Sequence, residues 1–196
     1  MTRTLASLAT LLLAGLLGAG CMQDRPPVFA DAQWQLGCDS MMGMCTPSLP
    51  RSVLGENGVD GSVQCNVVET ASDRSLSFYV RGTRDGTPFD ARLSNARVPR
   101  AGGSPGAGCT FTVGEGANRF AGGCGASAPS ADQPCQVSIE FGLDPMLNSP
   151  TVDVDVLCDR LPNSATTEVL RSVYFPATPA MPAAFRFYDC IGLSRE

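Results

Sequence analysis

The chain has 196 residues, 43% hydrophobic and 17% charged, with 21 Gly, 15 Pro and a formal net charge of −5; this composition suits short strands joined by many turns and argues against an all-α fold. Every basic residue is Arg, and none of the scattered Arg gathers into the basic stripe that nucleic acid or an anionic membrane surface requires. His is absent, which removes the usual general base at neutral pH and the commonest metal ligand, so Ser-His-Asp, Cys-His and His-zinc sites are excluded.

The chain opens with Arg3, an apolar run from Leu5 to Leu17, and then Gly18-Ala19-Gly20-Cys21. This is the layout of a secretory signal peptide, and the apolar run is too short to span a bilayer. Leu17-Gly18-Ala19-Gly20-Cys21 resembles the cleavage site of bacterial lipoprotein precursors, although the family pattern prefers Leu three places before the cysteine, where Gly18 stands. The resemblance implies cleavage before Cys21, acylation of that cysteine, and a lasting anchor from two or three acyl chains. It covers about the first tenth of the chain. Met22 follows the cysteine, and the best-known sorting rule keeps lipoproteins with Asp there at the inner membrane, so the outer membrane is the expected address. Cysteine parity agrees with acylation: of nine cysteines, removing Cys21 leaves an even eight for an oxidising compartment.

Removal of residues 1–20 leaves 176, enough for one domain with a core, at a net charge of −6. Residues 21–33, with Pro26-Pro27, read as the lipidated N-terminus and a tether, and the folded domain is expected from Trp34 to Glu196. Period-two alternation bounded by Gly, Pro, Asn and Asp then predicts strands near 62–69, 76–82, 90–98, 109–114, 118–123, 135–142, 151–158, 168–175 and 184–191. The stretches 101–108 and 122–134 read as loops, and no internal repeat is present. Together these predict an all-β antiparallel sandwich, with a jelly-roll-like winding and about four disulfides.

Alternation places Cys65, Cys109, Cys135 and Cys158 on the inward faces of their strands. A hairpin turning at Glu115-Gly116-Ala117-Asn118 sets Val113 opposite Phe120 and Cys109 opposite Cys124. A second hairpin, about Pro145 to Pro150, sets Phe141 on Val152, Ile139 on Val154, Val137 on Val156 and Cys135 on Cys158. Cys38 and Cys45 then close a short loop, which leaves Cys65 for Cys190. Eight cysteines allow 105 pairings, and bridges between sheets, Cys65 to Cys158 with Cys135 to Cys190, remain the rival.

Three groups of residues carry candidate chemistry. In the second hairpin Glu140 falls opposite Asp153, with Asp155, Asp144 and Asp159 nearby; like charges there call for a calcium ion or for an Arg, such as Arg171 or Arg186, on the next strand. The same carboxylates are the minimum that a glycosidase acid and base require. Met41, Met42 and Met44 between Cys38 and Cys45 are soft ligands of the kind copper(I) prefers, although oxidation of the two cysteines removes their thiols. Tyr174 and Tyr188 alternate against Val173 and Phe187, so both are expected to point outward, where an aromatic ring can stack on a sugar.

The sequence therefore reads as a non-catalytic lipoprotein, a structural or interaction module held to the envelope by its lipid, with no nucleic-acid partner, no metal and no cofactor. A carbohydrate-binding module is the alternative, and a carboxylate-dependent hydrolase stands behind it.

Overall fold

A computed structural model describes residues 26–38, 45–56, 62–106, 108–165 and 170–194. Eleven strands follow in chain order: β1 (Phe29–Cys38), β2 (Arg51–Glu56), β3 (Ser62–Glu69), β4 (Asp73–Arg84), β5 (Thr87–Pro99), β6 (Cys109–Glu115), β7 (Asn118–Gly125), β8 (Cys135–Asp144), β9 (Ser149–Pro162), β10 (Leu170–Tyr174) and β11 (Ala183–Tyr188). Their hydrogen bonding makes one continuous path, β10-β1-β11-β9-β8-β7-β6-β5-β4-β3, with β2 added to β1 and β10 also paired to β9.

This path folds over where β7 meets β8. That contact is parallel and only two residue pairs long, Cys124 to Cys135 and Gly125 to Gln136, whereas the strand pairings on either side are antiparallel. The two halves of the sheet thus face each other as a sandwich, β3 to β7 against β8, β9, β11, β10, β1 and β2. Aromatic side chains span the interior. Phe78 of β4 lies 5.0 Å from Phe185 and 4.9 Å from Phe187 of β11, Phe111 of β6 lies 6.0 Å from Phe185, and Trp34 of β1 meets Phe89 of β5 at 5.5 Å. The strands form because alternate residues are apolar and reach this interior: Val63, Cys65 and Val67 on β3, Leu76, Phe78 and Val80 on β4, Val137 and Ile139 on β8 are all buried.

From β3 to β9 each strand pairs with its sequence neighbour, so the winding is a meander in place of the jelly-roll expected. Short turns dictate this, since two-residue connections such as Asp85-Gly86 and Gly116-Ala117 leave a strand nowhere to go but beside the one before it. The non-local step is β1, which pairs with β11 through residues 29–33 and with β10 through residues 35–38, and both of those strands pair on with β9. It also begins earlier than expected: residues 29–33 belong to the sheet, not to a tether, and Val28 is already buried. Ala30 and Ala32 face inward there, small enough to admit Trp34 beside Phe185, which it stacks at 5.6 Å. Gly122, where the expected strand and the expected loop overlap, lies within β7, where a Cβ would sit 2.3 Å from Pro134 and 2.7 Å from Leu161. Glycine is used here for close approach.

The four bridges are Cys38–Cys45, Cys65–Cys190, Cys109–Cys124 and Cys135–Cys158. Two of them follow directly from hairpin register, which pairs Cys109 with Cys124 and Cys135 with Cys158 at Cα separations of 5.1 and 4.0 Å. Cys65–Cys190 fastens the C-terminal segment along β3, where the Ile191 N–H donates to the Cys65 carbonyl and the Val67 N–H to the Ile191 carbonyl. That segment covers the open edge of β3.

Candidate functional site

The outer face of β1, β11, β9 and β8 carries a transverse row of charge. Cross-strand register places Asp31 opposite Arg186, Arg186 opposite Asp153, and Asp153 opposite Glu140. Asp155 lies two residues along β9 on the same face. These side chains line a shallow groove of about 360 Å³ that Gln33 also borders. The Arg186 guanidinium donates from Nε to Asp153 Oδ1, and that bond raises the Arg186 pKa still further above its ordinary value. Of the two arginines expected to answer the acidic face, Arg186 therefore does so. Arg171 instead reaches the Cys38–Cys45 bridge and donates to the Thr46 carbonyl at 2.9 Å.

One cation does not neutralise the group. Partial burial, followed by the charges of Asp153 and Glu140, pushes the Asp155 carboxyl above the usual aspartate range. Among the described residues no three His, Cys, Asp or Glu side chains converge to hold a metal ion. Asp144 points its carboxylate elsewhere, accepting the backbone N–H groups of Met146 and Leu147 at 2.8 and 3.0 Å. What the row does chemically is place an excess of negative charge, with one carboxyl that keeps its proton longer than usual, on an open sheet face.

The opposite layer carries a second groove, of about 420 Å³, on the outer face of β3, β4 and β5. Gln64 pairs with Tyr79 and Tyr79 with Arg92, with Asn66 and Ser77 in the next row. Tyr79 is half-buried, while Gln64, Asn66 and Arg92 are exposed. An aromatic ring beside amide and guanidinium donors, in a depression within the usual size range of small-ligand sites of about 300–1,000 Å³, is a polar recognition surface. Sequence alternation alone could have found it, since Gln64, Asn66, Tyr79 and Arg92 all fall on the face opposite the apolar residues.

Tyr174 and Tyr188 lie on the outward parity of their strands, as alternation predicts, but neither presents a free ring. Tyr174 is buried without joining the interior cluster: it stands opposite Gln35 of β1 on the outer face, while its neighbour Val173 faces the core. Its ring lies over Gly37, where a Cβ would come within 2.3 Å of Tyr174 Cε1. Tyr188 is half-buried with its ring edge-to-face on Phe29 at 5.7 Å. Trp34 is wholly buried. Cys21 and the methionines between Cys38 and Cys45 lie outside the described residues.

Compared with known proteins, the chain matches no family model, no curated protein and no solved structure.

Proposed function

We propose that the protein is a lipoprotein acylated at Cys21, a non-catalytic structural or interaction module displayed at the outer membrane. The observation that carries this reading is the completeness of the pairing: the eight cysteines that follow Cys21 are joined to one another in four bridges. Cys21 is then the odd cysteine, and it stands after Leu17-Gly18-Ala19-Gly20 in the place where lipoprotein precursors are acylated. A stapled β domain suits an exported setting, in which bridges persist and offset the conformational freedom of a loop-rich chain. The acidic row is read as a solvated face that repels anionic surfaces, with Arg186 bonded to Asp153.

The test is the intact mass of the full chain extracted from membranes, with and without reduction before alkylation. A mass that begins at Cys21 and carries acyl groups, with eight alkylations appearing only after reduction, is the expected result. An unacylated chain, or a different N-terminal residue, overturns the proposal.

A second reading, a carbohydrate-binding module, rests on the groove around Tyr79. Stacking on an aromatic ring flanked by Gln64, Asn66 and Arg92 is how such a surface would hold a sugar. Retardation in polysaccharide-containing gels that disappears in Tyr79→Ala supports it, and wild type running as Tyr79→Ala does on every polysaccharide tried removes it.

A further inference from the structure

The β8–β9 hairpin extends beyond its neighbours at one end of the sandwich and carries apolar side chains there. Phe29, Tyr188, Thr151 and Gly142 are consecutive register partners across β1, β11, β9 and β8. Past this row the hairpin continues through Leu143–Pro150 and Asp144–Ser149 and turns at residues 145–148. Met146 is 92% exposed, Leu147 66% and Leu143 49%. Large apolar side chains grouped at a protruding tip are unusual on a soluble surface and mark a contact site.

The tip is fixed in shape. The Asp144 carboxylate holds the Met146 and Leu147 N–H groups, and Asn148 takes a left-handed conformation at φ 49°. At its base the Ser149 hydroxyl donates to Asp189, and the Asp189 N–H donates to the Pro150 carbonyl. A preformed turn of this kind presents its side chains without an ordering cost on contact.

β1 runs antiparallel to β11, β11 to β9, and β9 to β8, so β1 starts at the end where the tip projects. Only Met22 to Arg25 separate Cys21 from Pro26, and five Cα steps at about 3.6 Å reach at most about 18 Å. We infer that Leu143, Met146 and Leu147 form a membrane-contacting tip that inserts into the phospholipid surface to which Cys21 is anchored. This rests on the acylation proposed above. The anchor holds the hairpin end of the domain against the bilayer, and the tip adds a second attachment that sets orientation, standing the sandwich on end with both outer-face grooves turned sideways.

The test uses the full-length exported protein carrying Leu147→Trp, with Asp132→Trp, in the loop at the other end of β8, as the control. Each is reconstituted into phosphatidylcholine vesicles with and without brominated acyl chains, after intact mass has established the state of Cys21. Trp34 is buried in the core and provides a constant background. For acylated Leu147→Trp, a blue-shifted emission quenched about twofold or more by brominated chains is expected, as for a side chain about 5–10 Å into the interface, with Asp132→Trp unquenched. If the indole introduced by Leu147→Trp emits as in water in the acylated protein, the tip is overturned while the anchor stands. A blue shift without quenching overturns it also, and assigns the tip to a protein partner or a second copy. Absence of acyl chains on Cys21 overturns the anchor and the tip together.

Discussion

Cys124 of β7 and Cys135 of β8 are direct register partners across the parallel contact where the sheet folds over, yet each is bonded away from the other, to Cys109 and to Cys158. Four buried cysteines therefore lie in one row across β6, β7, β8 and β9. Register partners on adjacent strands, about 4.7–4.9 Å apart across the ladder, are close enough for sulfur exchange. In Cys109→Ala the Cys124 thiolate can attack Cys135 Sγ, forming a Cys124–Cys135 bond and releasing Cys158 as the thiolate. Peptide mapping under non-reducing conditions should find the Cys124–Cys135 bridge in Cys109→Ala. Cys65→Ala, which frees Cys190 away from this row, should leave the other three bridges as they are.

Asp155 makes the fold less stable as its proton leaves. Its pKa in the folded chain is raised by burial and by Asp153 and Glu140, so the folded state keeps a proton that the unfolded state has already lost. Stability therefore falls as pH rises from the ordinary aspartate value to the raised one, and is level above it. Asp155→Asn should gain stability relative to wild type between pH 3 and pH 7, measured by urea unfolding with the disulfides intact. Added salt should narrow the difference at pH 7, since much of the repulsion comes from charges on an open face.

Strand positions and hairpin registers were legible in the sequence because both are local. Cys135, Val137, Ile139 and Phe141 find Cys158, Val156, Val154 and Val152 by constant-sum numbering around a single turn. β1 was missed because the residues that mark its inward face begin with Ala30 and Ala32, whose small side chains give a weak signal, and because Pro26-Pro27 just before them suggest a linker. β2 was missed because one of its two buried residues is Arg51, whose charge is answered by Glu115 from a distant hairpin. Bulges hid the rest. Ala91 and Leu93 face inward on one parity of β5 and Ala96 and Val98 on the other, with Asn95 at φ 58° between them, and β9 likewise changes parity between Cys158 and Leu161, with Arg160 at φ 56°. The groove around Tyr79 was present in the alternation. The coincidence of the start of β1 with the hairpin tip was not, since it depends on β1 pairing with strands that follow it by 150 residues or so in the chain.

Arg74 and Glu69 clamp the rim of the sandwich near that tip. Arg74 donates to Glu69 at 2.9 Å and to the Arg100 carbonyl at 2.8 Å, while its guanidinium lies over Phe141 of the facing layer at 4.6 Å. Burial would raise the Glu69 pKa, but the Ser194 hydroxyl, Arg74 and Arg100 together outweigh it, and the net shift is downward. Stability from Glu69 is thus fully present above its unfolded value and is lost as pH falls through the folded one. Arg74→Met should cost about 2–3 kcal/mol at pH 7, less than a fully buried pair because Glu69 keeps some exposure. The cost should shrink toward pH 3, as read from the urea midpoints of the two proteins across that range.

Phe185 is the side chain on which the two layers meet, packed against Trp34, Phe78 and Phe111 with no exposed surface to speak of. Phe185→Ala should cost about 3–5 kcal/mol, the lost transfer energy plus that of a cavity which four bridged strands cannot collapse to fill. Phe185→Leu keeps part of the volume but loses the ring contacts, and should cost less than Phe185→Ala. Trp34→Phe should also be milder than Phe185→Ala: the indole N–H is buried with no hydrogen-bond partner among the described residues, so its removal relieves an unpaired donor while area is lost. Urea unfolding of oxidised protein provides all three values, with Trp34 emission as the probe for the Phe185 variants and circular dichroism for Trp34→Phe. A smaller loss for Phe185→Ala than for Trp34→Phe would mean that the layers are held chiefly by the bridges and the rim contacts, and that the aromatic centre contributes little.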